Sequence, residues 1–276
     1  MVNLDTEAMQ TIFITFGAGK TGRRKAARRL GKEATKTNLF KQVHVLDEKW
    51  LIDCDTQVYK QIQSYRSRGL YRGFGYWAWK PAILRWANNL YPNDQILYMD
   101  GGSHISSKEQ DRRVIQQLLD YSINNHGLAW ELNSHKEVEW CKKEVLEKLD
   151  KQNKYYEEDQ LQSSYICLPP SNRREKFIKE FYNLALEDGG FNFSDEIRVK
   201  QFDRFIEHRH DQSNFSLLWK KYKFGHQPDL TYPPFPNPFP ILTTRNSTGL
   251  NANAPKILIK IAEISYIIID RVMTRR

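Results

Sequence analysis

Four short segments of this chain carry residues whose types and spacing could do chemistry. The first is Leu97-Tyr98-Met99-Asp100-Gly101-Gly102-Ser103-His104, an apolar run ending in a carboxylate and two glycines. In α/β folds ligands sit beyond the carboxyl ends of strands, and a carboxylate placed there can hold a hard cation that bridges two phosphates. An aspartate that only caps the turn is the plainer reading. His104 offers a second ligand or a substrate contact, or is an ordinary structural histidine. The second segment is Arg72-Gly73-Phe74-Gly75-Tyr76-Trp77-Ala78-Trp79-Lys80-Pro81. Its glycines allow close backbone approach. Its rings beside a cation suit a nucleobase or sugar next to a phosphate, the alternative being an aromatic core cluster. The third is Glu207-His208-Arg209-His210-Asp211-Gln212-Ser213. Buried unpaired, such a run would be costly, so it is either networked or functional. Asp211 and Gln212 would project from a helix N-terminus, as an N-cap aspartate also would. The fourth is Gly17-Ala18-Gly19, followed by Lys20, Arg23 and Arg24. Amides in such a turn can hold a phosphate or face a base, unless this is only a turn ahead of a solvated basic helix. Gly19-Lys20-Thr21 has the ending of a P-loop, but the glycine which that motif needs further upstream is Ile14, so the pattern fails.

The elements that must position these segments are legible from periodicity. Thr11–Phe16 is a β-branched and aromatic run that predicts a strand, residues 23–36 predict a basic amphipathic helix, and Gln42–Leu46 predicts a second strand. Strand, glycine turn, helix, strand opens an α/β nucleotide-binding unit. Residues 58–67, 81–90, 107–122, 138–149, 172–186 and 212–221 have helical spacing, and 95–99 and 164–168 read as strands. Pro81 suits the first turn of its helix. Residues 232–240 hold five prolines, which impose an extended path. In 256–276, Ile257, Ile261, Ile264, Ile268 and Val272 form one stripe flanked by Lys256, Lys260, Arg271, Arg275 and Arg276. That pattern suits a helix lying on an anionic membrane surface, or one packed on the domain. The organisation expected is an α/β domain over residues 1–240 and an extension over 241–276.

The 276 residues carry a net charge of +9 and include 14 Phe, 14 Tyr and 7 Trp. An apolar share of 40% excludes a disordered chain. The basic balance points to an anionic partner without naming it. Three widely spaced cysteines, Cys54, Cys141 and Cys167, argue against a disulfide framework or a zinc site and fit a reducing compartment. The opening MVNLDTEAMQ lacks the pattern of a secretory leader, and no apolar run reaches the roughly 18 residues of a spanning helix. The expected location is therefore cytoplasmic, peripheral at the inner face of the membrane if the tail binds there. A non-enzymatic nucleic-acid binder is an alternative suggested by charge and by the aromatic–basic interleaving of residues 72–86. Against it, Asp100, Glu207 and Asp211 would repel phosphates, so no nucleic-acid partner is expected.

The motifs RGFGYWAWKP, DQILYMDGGSHI and EHRHDQS, in this order, resemble those of bacterial glycosyltransferase-like proteins of polysaccharide gene clusters. The resemblance runs from about Ile12 to Leu218. It implies a Rossmann-like glycosyltransferase A-type fold with a mostly parallel central sheet, and a nucleotide-sugar donor, UDP-linked, with a glycan or lipid-linked acceptor. That fold commonly binds Mn²⁺ or Mg²⁺ through Asp-x-Asp; here Tyr98-Met99-Asp100 keeps only the last acid. The metal set this leaves is Asp100, His104 and His210. A catalytically inactive sugar-binding homologue is a further alternative. Residue readings and resemblance together place Gly17, Arg72, Tyr76, Trp79, Lys80, Asp100, Gly101 and Gln212 at the donor. Asp211 and Glu207 are the catalytic candidates.

Overall fold

The computed structural model describes residues 9–231 and 239–243. Eight strands occur among them: β1 (Thr11–Phe16), β2 (Gln42–Leu46), β3 (Gln95–Met99), β4 (Ser103–Ile105), β5 (Leu128–Lys136), β6 (Asp159–Leu168), β7 (His226–Pro228) and β8 (Ile241–Thr243). Six form one sheet in the order β2-β1-β3-β6-β5-β7, flanked by helices. The fold is α/β, as expected. β1 pairs in parallel with β2 and β3, and β5 in parallel with β7, whereas β6 runs antiparallel to both of its neighbours. The sheet is therefore parallel where the glycine turn lies and mixed beyond it. Every residue of β1 and β3 is buried, which is why both read as continuous apolar runs rather than alternating ones.

The helices follow the periodicity closely. The basic helix spans Thr21–Thr37 and buries Ala26, Ala27, Leu30 and Ala34. Helices also span Thr56–Ser67, Trp79–Leu90, Glu109–Asn124, Asn172–Leu186 and Asp211–Lys221. Residues 138–149, expected as one helix, form two: Glu137–Trp140 and Lys143–Leu149. Between them Cys141 is extended, and the fully buried Lys142 ammonium donates to the carbonyls of Phe191, Ser194 and Glu196. Three carbonyls collected from a distant segment outweigh the continuity of one helix.

Two glycines bring the turns at the strand ends against the first helix. A Cβ at Gly17 would lie 2.6 Å from the Arg23 carbonyl oxygen, and one at Gly101 3.1 Å from both the Ala27 nitrogen and the Phe16 oxygen. Beyond them, β4 and β8 form a separate antiparallel pair, with Ile105 opposite Ile241. Residues 241–243, expected at the start of an extension, therefore pack on the main domain, and Ile241 is fully buried. The proline-rich segment over 232–238 and the expected helix over 256–276 lie outside the described residues. Among the described residues, no helix is long and apolar enough to cross a membrane.

Candidate functional site

A cavity of about 700 Å³ opens where the carboxyl ends of β1 and β3 meet the start of the Asp211–Lys221 helix. The turn after β1 and the start of the first helix supply Gly17, Lys20, Gly22 and Arg23 to its wall. The 72–80 segment supplies Arg72, Phe74, Trp77, Trp79 and Lys80, and the turn after β3 supplies Asp100 and Gly101. β6 contributes Ser163 and Ser164, and the 209–212 segment contributes Arg209, His210, Asp211 and Gln212. Three motifs far apart in the chain thus line one space.

Lys80 is the hub. Its side chain is only 1% exposed, and its ammonium lies 2.5 Å from Asp211 Oδ2 and 3.3 Å from Asp100 Oδ1. It also donates to the Ser163 carbonyl at 2.9 Å and to the Ser163 hydroxyl at 3.0 Å. The Ser163 hydroxyl in turn donates to Asp211 Oδ2 at 2.6 Å, and the Tyr98 hydroxyl to Asp100 Oδ1 at 2.5 Å. Burial alone would lower the Lys80 pKa, but Asp100 and Asp211 together hold it raised. Burial raises the Asp211 carboxyl despite the ammonium beside it, and the Asp100 charge adds to the rise. The Tyr98 hydroxyl is pushed well up by burial and by Asp100, so it acts as a neutral donor.

The backbone is unusual on both sides of this cluster. Phe74, Tyr76 and Trp77 have φ of 55°, 53° and 58°, and His210 combines φ 56° with ψ −117°. Side chains rarely adopt such conformations, and they persist where packing over-determines them. Here the packing is aromatic: Trp77 stacks on His210 with ring centroids 5.7 Å apart, and Trp79 stacks on Phe16 at 4.2 Å. The rings serve as core and as cavity wall at once.

Of the residues expected at the donor, Gly17, Arg72, Trp79, Lys80, Asp100, Gly101 and Gln212 line the cavity; Tyr76 does not. It is buried behind the wall, edge-on to Tyr65 and tilted against His210. Of the catalytic candidates, Asp211 is in the wall and Glu207 is not. Glu207 pairs with Arg72 at 3.3 Å and with Arg209 at 3.1 Å, in half-exposed surroundings. The expected metal set is not assembled. His104 Nδ1 faces Arg29 at 2.7 Å and Glu33 at 3.3 Å, an ion cluster on the first helix. His210 Nδ1 faces the Phe193 carbonyl at 2.9 Å, and burial, with Arg72 adding, lowers its pKa to about 3. Among the described residues no three His, Cys, Asp or Glu side chains stand together as a ligand set. The position between the Asp100 and Asp211 carboxylates, where a dication would draw its charge, holds the Lys80 ammonium. The described residues do not fit a resident Mn²⁺ or Mg²⁺.

Ser163 and Ser164, which line the cavity, and the glutamine Gln160 were missed by the sequence reading. Gln160 is fully buried and its Oε1 accepts from Gln212 Nε2 at 2.6 Å. Gln160, Ser163 and Ser164 lie on β6, where polar residues in a buried strand were the available signal.

No family model and no curated protein matches the chain. Solved structures with a similar chain path include a glycosyltransferase involved in glycosylation of the major capsid of PBCV-1, at 11% identity and a TM-score of 0.36, covering 65% of this chain and 68% of that one. Mouse xyloside xylosyltransferase 1 is 12% identical with a TM-score of 0.42, covering 81% of this chain and 87% of that one. The bifunctional glycosyltransferase WbbM is 11% identical with a TM-score of 0.43; 79% of this chain matches 38% of that one.

Proposed function

We propose that the chain is a glycosyltransferase that takes a sugar from a nucleoside diphosphate sugar, UDP-linked, and passes it to a glycan or lipid-linked acceptor. The observation that carries this reading is one cavity whose wall offers both cations and hydrogen-bond acceptors. Lys20, Arg23 and Arg72 line it, Lys20 at the start of a helix. Asp100, Asp211 and Gln212 line it as well. Phosphates seek the first kind of group, and hydroxyl-rich sugars, which donate hydrogen bonds, seek the second.

The mechanism follows from that combination. As the bond to the sugar breaks, negative charge grows on the leaving diphosphate. Cations and amides at the helix start stabilise it where it develops. Phe74, Trp77 and Trp79 provide flat apolar wall for the base or sugar ring. Asp211 Oδ2 is committed to Lys80 and Ser163, which fixes the plane of the carboxylate. Its other oxygen is left to receive the proton of the acceptor hydroxyl. Asp100, with a side chain 32% exposed, orients the donor sugar.

The test is transfer from a panel of sugar nucleotides by the wild type and by Asp100→Asn and Asp211→Asn. Both variants are expected to keep nucleotide binding and to lose transfer, by roughly 10²- to 10⁴-fold for Asp211→Asn, as for removal of a general base. Wild-type turnover in the folded Asp100→Asn protein sinks the assignment.

A further inference from the structure

Behind the cavity lies a second polar cluster, buried and separate from Lys80. Glu137 is completely buried. Its Oε1 accepts from the Lys220 ammonium at 2.9 Å and from the Ser216 hydroxyl, and its Oε2 accepts from Gln160 Nε2 at 3.1 Å. The Lys220 ammonium also donates to the Asp159 carbonyl at 2.8 Å. The Gln160 nitrogen therefore faces a carboxylate, and it also faces the Trp140 carbonyl and the Ser213 hydroxyl oxygen, each at 3.3 Å. That hydroxyl donates its own proton to the Trp140 carbonyl at 2.7 Å, so toward Gln160 it can only accept.

This arrangement admits one orientation of the Gln160 amide. Inverted, its oxygen would meet a carboxylate oxygen and a carbonyl oxygen in a buried space, with no proton between them. With the nitrogen held by Glu137, the Gln160 oxygen points to Gln212 and accepts from Gln212 Nε2 at 2.6 Å. The Gln212 nitrogen is thereby turned inward, and its Oε1 is the end left for the cavity. Among the described residues none donates to that oxygen.

We infer that Glu137 is a positioning residue that acts through Gln160 to present the Gln212 side chain to the ligand as a hydrogen-bond acceptor, selecting a sugar hydroxyl that donates to it. Lys220 and Ser216 hold the carboxylate that sets the direction of the whole relay. The inference rests on the glycosyltransferase reading and adds to it a residue that never touches substrate but decides which end of a contact residue does.

Replacing the carboxylate by an amide lets the relay reverse. In Glu137→Gln the new nitrogen can face Gln160, whose amide then inverts and forces Gln212 to show its nitrogen to the cavity. Gln160→Met removes the relay without touching the buried Glu137–Lys220 pair and serves where Glu137→Gln does not fold. The measurement is the affinity for each sugar nucleotide of a panel and for its matching nucleoside diphosphate, by calorimetry on the full-length chain. In the wild type the sugar adds affinity over the diphosphate. In the folded variants that increment is expected to fall about tenfold, with diphosphate affinity unchanged, and Gln212→Leu is expected to show the same selective loss. A purely structural role would weaken both ligands together. Variants that keep the wild-type increment, or that lose both ligands equally, overturn the relay. A wild type that binds diphosphates and sugar nucleotides alike not at all overturns the glycosyltransferase reading instead.

Discussion

Two groups of charges in the cavity wall are built on opposite principles. The cluster around Lys80 is buried at its centre and bonded nearly to saturation: Lys80 meets four acceptors, and the Asp211 carboxylate has both a cation and a hydroxyl on one oxygen. The cations Lys20 and Arg23 stand on a turn and the first turn of a helix, where both are exposed. A buried ion cluster is rigid and indifferent to salt, since water and counter-ions are excluded; exposed charges are screened and adjust to a ligand. The difference teaches which part of the site can tolerate change. The buried cluster sets geometry, and the exposed cations supply attraction.

The sharpest way to break the comparison is Lys80→Met. It leaves two carboxylates facing each other with no cation between them, and removal of one partner from a buried pair costs about 3–5 kcal/mol. Denaturant unfolding should show a loss of that size, and a variant as stable as the wild type would mean that the cluster is not the anchor described. Acid probes the buried histidines that precede Asp211, His208 and His210. Burial, with nearby positive charge adding, lowers His208 well below its ordinary value and His210 to about 3. In the unfolded chain both take up a proton as pH falls through about 6.5, whereas the folded chain resists. Stability is therefore lost on going down from about pH 6.5, at up to about 1.4 kcal/mol per pH unit for each histidine, levelling off for His210 below about pH 3. Unfolding midpoints across that range, in the wild type and in His210→Gln, would show the slope and its reduction.

At the exposed cations the effects are smaller and of another kind. Lys20→Ala and Arg23→Ala should each weaken nucleoside diphosphate binding several-fold, with the loss shrinking as salt is added and with no change in unfolding midpoint. A loss independent of salt would place these side chains in the buried class. Smallest of all is the expected effect of chelation: calorimetric titration of UDP in EDTA should match that in its absence, because Lys80 holds the place of a dication. Binding that depends on added Mn²⁺ would assign Asp100 a ligand role after all.

The extent to which this site could be read in the sequence differs by segment. Gly17, Asp100 and Asp211 stand where strand ends and a helix start predicted them, because periodicity and turn residues are local signals. Lys80 was visible as a cation beside rings, but not as the partner of Asp211, 131 residues away. His104 and His210 were plausible ligands by type alone; Arg29 and Glu33 claim the first and the Phe193 carbonyl the second, and neither claim has a signature in spacing. Glu207 sits in the same dense run as Asp211, yet the unusual backbone at His210 separates them, one in surface ion pairs and the other in the cavity wall.

By itself the sequence determined the α/β class, the strands Thr11–Phe16, Gln42–Leu46 and Gln95–Met99, and the helix Asn172–Leu186, each through its apolar pattern. Those patterns record which face of each element leaves water, a property of neighbours along the chain. Only the tertiary structure decided that β6 runs antiparallel to its neighbours, that an ammonium stands between two carboxylates, and that Glu137 governs Gln212 through Gln160. The physical reason is the same in each case. Buried polar groups must find partners, and the partners come from whatever part of the chain the packed core has brought within hydrogen-bonding distance.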